Sequence, residues 1–249
     1  MPPQSHSASH FGHTRIAARL HQAGQRLVNR LLPPHCLLCG ARDAENHALC
    51  LACLADMPRN HPCCRRCGLP LAVSGDSCGD CQRHPRPWDS AWAPFRYAWP
   101  LNLLETRFKF SAHLASGRVL SQLWCDAGPP PAWPDLVLAV PLHPRRLRQR
   151  GYNQALELAR PLARAWNLAI ETQWLQRQRH TEPQSELDAV ARRRNLRGAF
   201  AVADQAELPA HVAVVDDVMT TGATLAECTR TLKRAGVQRV DVWALARAA

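Results

Sequence analysis

The chain has 249 residues, enough for one ordinary hydrophobic core and a smaller module, so we expect one or two domains. It contains no apolar stretch long enough for a membrane span or a secretory signal, which excludes an integral membrane protein and predicts a cytoplasmic location. The formal charge is +11, and every basic residue except Lys109 and Lys233 is arginine. This favours a polyanion or a phosphorylated ligand as partner, although genome base composition also produces arginine-rich chains.

The first 32 residues combine a polar tail with a basic helix. Residues 1–13 are rich in His, Ser and Pro and are expected to be disordered. In residues 14–32, apolar side chains recur at helical spacing beside a row of arginines. We expect this amphipathic helix either to pack on the protein's own core or to lie on an acidic partner or the inner face of a membrane.

Residues 33–84 contain an internal repeat of cysteine pairs, in which two C-x₂-C pairs are followed 28 residues later by a second copy of the same arrangement. In a cytosolic chain such pairs are typical zinc ligands, because two sulfurs from one tight turn reach a single tetrahedral ion. We predict two structural zinc ions with four thiolates each, which leaves no open position for a substrate. Exchange of pairs between the two sites is also compatible with the spacing. The predicted ligands are Cys36, Cys39, Cys50 and Cys53 for the first ion, and Cys64, Cys67, Cys78 and Cys81 for the second.

Residues 85–134 are predicted to connect this module to a larger domain. Residues 91–99 favour a short strand that Pro94 confines to a sheet edge or a bulge. A single helix is predicted over residues 101–124, followed by a proline-rich linker at residues 128–134.

The larger domain, residues 135–249, begins with an apolar strand at 136–140 that is typical of a buried parallel sheet. It leads into an arginine-rich loop at 145–150, which suits a pyrophosphate group; an ordinary solvated loop is the alternative. The next helix, 153–166, contains Pro161 and is expected to be kinked or split into two pieces.

A strand is predicted at residues 169–175, and the polar segment 177–200 that follows favours a lid or binding loop. A disordered excursion or an exposed helix is the alternative for this segment. Short strands at residues 199–203 and 239–245 complete the predicted sheet.

Residues 212–224, VAVVDDVMTTGAT, carry the strongest chemical signal. An apolar strand meets Asp216 and Asp217, and a turn of small residues then opens the helix 225–235. Backbone N–H groups at such a turn suit a phosphate monoester, while the acids suit vicinal hydroxyls or Mg²⁺. Together they describe a ribose 5-phosphate site; an ordinary strand-loop-helix with a solvated acidic pair is the alternative.

These residues resemble the phosphoribosyl pyrophosphate (PRPP) loop of type I phosphoribosyltransferases. The order of motifs, including CLLCG at Cys36, VPLHPRRLRQRGYNQ from Val140 and VVDDVMTTGAT, resembles the ComF family of competence proteins from about residue 31 onwards. The resemblance implies an α/β fold: a type I phosphoribosyltransferase-like parallel sheet flanked by helices, with a small N-terminal Cys₄ double zinc ribbon.

The resemblance also implies roles for individual residues. Asp216 and Asp217 would hold the ribose hydroxyls, with Asp217 as the candidate general base. The 5-phosphate would lie on Thr220, Thr221, Gly222, Ala223 and Thr224. Arg145 and Arg150 would face the pyrophosphate with Mg²⁺, and Arg177 and Arg197 would belong to the mobile loop.

Two functions follow from the sequence. The first is transfer of the phosphoribosyl group from PRPP to an acceptor that the sequence does not identify. The second is a non-catalytic adaptor in DNA uptake, which contacts single-stranded DNA or proteins of the uptake machinery and keeps the PRPP site as a sensor or scaffold.

Overall fold

The computed structural model describes residues 35–42, 48–73, 75–179 and 196–248. The predicted tail and basic helix, and most of the predicted lid, lie outside these residues. The chain divides into two compact units, Met1–Ala55 and Asp56–Ala249. The finer division at residues 32, 84 and 134 stays a prediction. Within the described residues, no helix is both long and apolar enough to cross a bilayer.

The described part of the smaller unit is a cysteine turn followed by the short helix α1 (Leu51–Ala55). The turn closes through a hydrogen bond from the Gly40 amide to the Cys36 carbonyl of 2.9 Å. Gly40, which follows Cys39 in this turn, has a φ of 76°, a backbone conformation that glycine adopts without strain.

The larger unit is built on a parallel sheet of six strands. The strands are β1 (Ser90–Trp92), β2 (Phe95–Arg96), β3 (Leu136–Ala139), β4 (Ala169–Glu171), β7 (His211–Met219) and β8 (Arg239–Arg247). Their order in the sheet is β1-β8-β7-β3-β4, and β2 also pairs with β8. Every pair in this sheet is parallel, so the predicted α/β parallel fold is confirmed.

The first two strands of the sheet precede residue 134, earlier than expected. The predicted strand 91–99 is interrupted at Pro94 into β1 and β2, which both pair with the last strand, β8, at the sheet edge. Two other strands, β5 (Leu175–Arg177) and β6 (Phe200–Val202), form a separate antiparallel pair. These two strands contain the first and the last residue of the predicted lid. The single strand predicted at 169–175 is two strands in the structure, β4 and β5.

The helices differ from the prediction at two places. The helix predicted over 101–124 is two helices, separated at residues 111–113 where Ala112 adopts a φ of 49°. The predicted arginine loop is a helix, because the His143 side chain accepts a hydrogen bond from the Arg145 amide and Pro144 occupies the first turn. The helix that contains Pro161 runs as one element. The helices are α2 (Gly79–Arg83), α3 (Leu101–Phe110), α4 (Leu114–Asp126), α5 (Pro144–Arg150), α6 (Gln154–Ala165) and α7 (Ala223–Arg234).

Strand β7 extends beyond its neighbour β3, and this creates the crevice that holds the site. Pairing with β3 ends at Val215, whereas pairing with β8 continues to Met219. The two acids therefore lie within β7 rather than after it, but beyond the end of β3. Ligands of open parallel sheets bind at this carboxyl edge.

Candidate ligand site and metal centres

The turn between β7 and α7, residues 220–224, is called the phosphate loop below. Gly222 precedes the helix with a φ of 74°, which only glycine adopts without strain. A Cβ atom at this position would also lie 2.8 Å from the Trp88 ring. Glycine is therefore required both by the backbone conformation and by the closeness of the indole. The turn leads directly into the N-terminus of a 12-residue helix, whose first N–H groups suit a phosphate.

A cavity of about 360 Å³ lies at the carboxyl edge of the sheet beside this loop. Its volume falls within the usual range of small-molecule sites. The polar lining comes from separate parts of the chain, which include the end of α3, α5, the start of α6, β5, the acid pair of β7 and the phosphate loop. The polar residues that line it include Asp216, Asp217, Thr220, Thr224, Lys109, Arg146, Arg150, Arg177, Asn153 and Gln154.

Lys109, at the end of α3, supplies an internal cation to the acid pair. Its Nζ lies 2.9 Å from Asp217 Oδ2 and 3.2 Å from Glu105 Oε1. Tyr97 Oη donates a hydrogen bond of 3.2 Å to the other Glu105 oxygen. Although burial disfavours its charge, the two carboxylates raise the pKa of Lys109 above its usual value.

The pKa values of the two aspartates shift in opposite directions. Burial raises the pKa of Asp217, but the adjacent Lys109 ammonium outweighs it and lowers the pKa below the usual value. Burial, and then the charge of Asp217, raise the pKa of Asp216 well above that of an ordinary aspartate. A ligand cation or hydroxyl donors would favour the ionised form of Asp216 and so lower its pKa.

Three arginines, Arg146, Arg150 and Arg177, also line the cavity. Burial, and then the positive charge of Arg146, lower the pKa of both Arg150 and Arg177. Arg177 is 8% exposed and its guanidinium lies over the Phe200 ring at 5.5 Å from the ring centroid. Three cations crowded into one cavity favour an anion, because mutual repulsion is relieved when it binds.

The N-terminus of α6 adds amide donors. Gln154 is 2% exposed, and its Nε2 has no hydrogen-bond partner within the described residues. Asn153 donates to the Val140 carbonyl at 3.0 Å, which fixes the start of the helix against the end of β3. A buried donor without a partner is costly in a native protein, so Gln154 is suited to a polar ligand.

The structure brings most of the predicted ligand residues together. Asp216, Asp217, Arg150 and Arg177 line the cavity, as do Thr220, Gly222, Ala223 and Thr224. Among the described residues, Arg145, Arg197 and Thr221 are not part of this lining. Arg197 lies in a basic groove with α7, and Thr221 lies in a second cavity beside Trp88.

Sequence reasoning missed Lys109, Glu105 and Gln154, whereas Arg146 lies within the arginine-rich segment 145–150 that was predicted to face a pyrophosphate. One signal was available for Lys109: it is one of only two lysines in a chain with 31 basic residues. The other lysine, Lys233, also forms an ion pair, at 2.9 Å from Asp89 Oδ2.

Eight of the eleven cysteines form two groups of four, in sequential order along the chain. In each group all four sulfurs lie within 4.8 Å of one another. Two of these separations, Cys39 to Cys50 at 3.6 Å and Cys67 to Cys78 at 3.7 Å, match the roughly 3.8 Å between two thiolates on a tetrahedral zinc ion. They exceed a disulfide bond of about 2.05 Å. The groups are Cys36, Cys39, Cys50 and Cys53, and Cys64, Cys67, Cys78 and Cys81.

Backbone amides favour the ionised sulfurs that zinc requires. The Cys78 amide donates to Cys64 Sγ at 3.2 Å. Burial opposes ionisation, but hydrogen bonds to backbone groups, the Cys39 and Cys50 amides foremost, lower the pKa of Cys36 to about 6. The donor sets therefore fit two closed thiolate sites, which bind zinc as a structural ion.

Comparison with known proteins agrees with these observations. A family profile described as a double zinc ribbon domain matches residues 27–82, and together with the two thiolate groups it supports two structural zinc ions.

The DNA utilization protein YhgH of Salmonella typhimurium is 37% identical over 226 residues, covering 87% of this chain and 98% of the relative. The YhgH protein of Escherichia coli K12 is 35% identical with the same coverage. Competence protein F of Haemophilus influenzae is 36% identical over 189 residues, covering 73% of this chain and 82% of the relative. The chain therefore belongs to the ComF family, which includes YhgH and competence protein F.

Proposed function

We propose that this protein acts in DNA uptake or DNA utilisation and that its cavity binds PRPP with Mg²⁺ and transfers the phosphoribosyl group to an acceptor. The biological part rests on relatives named for DNA utilization and competence. The chemical part rests on one observation: an acid pair, a phosphate loop and three arginines line the same cavity.

The ribose 5-phosphate is assigned to β7 and the phosphate loop. Amides at the start of α7 and the Thr220 and Thr224 side chains would receive the 5-phosphate, since the helix N-terminus favours an anion. Asp216 and Asp217 would accept hydrogen bonds from the ribose hydroxyls, and Asp216 would release its proton as they bind.

The pyrophosphate is assigned to the arginine side of the cavity. The guanidinium groups of Arg146, Arg150 and Arg177 would bind its oxygens, and the Gln154 amide would donate to it. The assignments of Arg145 and Arg197 to PRPP binding remain predictions, without support from the cavity lining.

The acid pair also fits Mg²⁺, because carboxylate oxygens are its preferred protein ligands. When bound, the ion would neutralise charge on the pyrophosphate leaving group. Asp216 and Asp217 would hold it while Lys109 compensates the remaining negative charge.

In the transfer, the bond from C1 of the ribose to pyrophosphate breaks and the leaving group keeps the electron pair. A lone pair of the acceptor forms the new bond to C1, and the arginines stabilise the negative charge that develops on pyrophosphate. The acceptor loses one proton in this step. Asp217 is the candidate proton acceptor, and its ion pair with Lys109 at 2.9 Å reduces its basicity.

Calorimetric titration of the zinc-loaded protein with PRPP and Mg²⁺ tests the binding site. We expect saturable binding that disappears in the variant with Asp216→Asn and Asp217→Asn. Asp204→Asn changes an exposed acid outside the cavity and should bind like the wild type. Absence of binding to folded wild type, or unchanged binding in the double variant, would contradict the proposal.

The adaptor function is a second candidate, favoured by a basic groove along α7. Arg197, Arg230, Lys233 and Arg234 line it, with Glu227 as the acidic residue of the lining. Such a surface suits the backbone of single-stranded DNA, whose binding weakens with salt.

Single-strand binding measured at increasing salt, with Arg230→Gln and Arg234→Gln, tests this candidate. We expect weaker binding and a shallower salt dependence than in a control with Arg118→Gln and Arg164→Gln, two exposed arginines elsewhere. Equal binding by both variants would remove the groove as the DNA surface.

A further inference from the structure

We infer that the second zinc ribbon, residues 64–81, holds the phosphate loop in its binding conformation through Arg247 and Trp88. These are positioning residues, because neither is needed to touch a ligand. The inference concerns the regulation of the proposed PRPP site and rests on the proposed function only in its ligand-binding arm.

Arg247, at the end of β8, joins the ribbon to the start of the phosphate loop. Its Nε donates to the Cys67 carbonyl at 2.9 Å, and its Nη1 donates to the Met219 carbonyl at 3.1 Å. Met219 is the last residue of β7 before the loop. Because the guanidinium is planar and rigid, the two carbonyls are held in a fixed relation.

Trp88 makes a second connection. Its side chain is 2% exposed, and its Nε1 donates to the Arg66 carbonyl. On its other side, the ring lies against Gly222 so closely that a Cβ atom there would be 2.8 Å away. The indole therefore fills the space between the ribbon and the centre of the phosphate loop.

Three consecutive carbonyls of the cysteine turn accept hydrogen bonds from this region. The Arg65 carbonyl accepts from the Ala91 amide of β1 at 2.8 Å. The next two accept from Trp88 and Arg247, as described above. This turn carries two zinc ligands, Cys64 and Cys67, so its conformation depends on the ion that both sulfurs share.

The consequence is a coupling between the second zinc ion and the loop. Zinc bound to the four thiolates fixes the turn, and the turn then fixes the indole and the guanidinium on which the loop rests. A purely structural role for the ribbon would change the stability of the whole unit without a selective effect on the loop.

Hydrogen exchange followed by mass spectrometry on the full chain tests the coupling through residue 247. We expect Arg247→Met to keep two zinc ions and to raise exchange at the phosphate loop at least tenfold, while residues 212–215 stay protected. Loop exchange is followed at the Ala226 amide, which donates to the Gly222 carbonyl of the loop at 2.8 Å. PRPP affinity should fall at least tenfold. The control is Arg96→Met, an exposed arginine that pairs in register with Arg247, and its loop should exchange like the wild type. Unchanged loop exchange in Arg247→Met would overturn the inference.

A second variant, Cys64→Ser with Cys67→Ser, removes the metal instead of the connection. We expect one zinc ion per chain and the same selective rise in loop exchange; a loop that stays protected would refute the coupling. If residues 212–215 also lose protection, the larger unit has unfolded in this variant. The loop exchange of Arg247→Met then decides whether the coupling exists. Should the wild type fail to bind PRPP, only the proposed function fails, since loop exchange is measured without ligand.

Discussion

Replacing Lys109 by methionine tests the charge balance at the centre of the site. Methionine retains much of the apolar stem but removes the ammonium that lies 2.9 Å from Asp217 and 3.2 Å from Glu105. Glu105 and Asp217 are 2% and 12% exposed at their side chains, so water compensates little of the lost charge. We expect lower stability and weaker ligand binding.

The magnitude follows from burial. Removing one partner of a buried ion pair typically reduces stability by about 3–5 kcal/mol, and the 26% exposure of the Lys109 side chain favours the lower end. About 3 kcal/mol corresponds to a fall in melting temperature of about 6–12 °C for a unit of this size. The matched control is Lys233→Met, which breaks a pair that is 34% and 40% exposed and should reduce stability by about 1 kcal/mol or less.

The loss should depend on pH. In the wild type, the lowered pKa of Asp217 contributes stability above the unfolded pKa, and this contribution is lost as pH falls through the folded pKa. Burial already raises the pKa of Glu105 in the wild type. Without Lys109, we expect the pKa of Glu105 to rise further and that of Asp217 to rise above its usual value, which destabilises the folded state as pH rises through them. The difference between wild type and variant should therefore be small in acid and largest at neutral and alkaline pH.

Urea unfolding followed by tryptophan fluorescence between pH 5 and 8 measures this difference. The variant with both Lys109→Met and Asp217→Asn should recover part of the loss, since one uncompensated charge is gone. A loss below about 1 kcal/mol at every pH, equal to that of Lys233→Met, would refute the view that Lys109 is the cation of the site.

Three further predictions concern the loop, the acid pair and the metal. Gly222→Ala should reduce stability by about 2–4 kcal/mol and abolish phosphate binding, because it combines a strained φ with a contact against Trp88; normal stability in thermal unfolding would contradict the 2.8 Å approach. PRPP binding should release a proton from Asp216, whose pKa is raised in the free protein. The calorimetric enthalpy of binding should then depend on the ionisation enthalpy of the buffer. An enthalpy that is the same in all buffers would show that the acid pair was already ionised. Elemental analysis should find two zinc ions in the wild type, and one when either cysteine group is disrupted; loss of both at once would mean that the two groups do not bind independently.

The sequence alone determined the features that depend on neighbouring residues. A C-x₂-C pair brings two sulfurs together through a turn of four residues, so the pairs Cys36–Cys39 and Cys64–Cys67 follow from local spacing. The structure decided which pairs share an ion. The strand, phosphate loop and helix at residues 211–234 are likewise contiguous. Apolar runs predicted β3, β7 and β8, since strands covered on both faces have a distinctive composition.

Two predictions about the helices were wrong. The arginine-rich segment 144–150 forms a helix because His143 caps it and arginine is a good helix former. The break at Ala112 ends α3 and separates it from α4, although the apolar pattern runs through both.

Only the tertiary structure placed Lys109 beside Asp217 and the second zinc ribbon beside the phosphate loop. Both are contacts between residues more than 100 positions apart: Lys109 meets Asp217, and Cys67 meets Arg247. They depend on the order of strands, in which β8 lies between β1 and β7. This order places residues from the start of the larger unit close to residues from its end. Residue spacing describes neighbours along the chain and carries no information about which strands pair. The contact of Lys109 with Asp217 and the contact of Cys67 with Arg247 therefore became visible only in the folded protein.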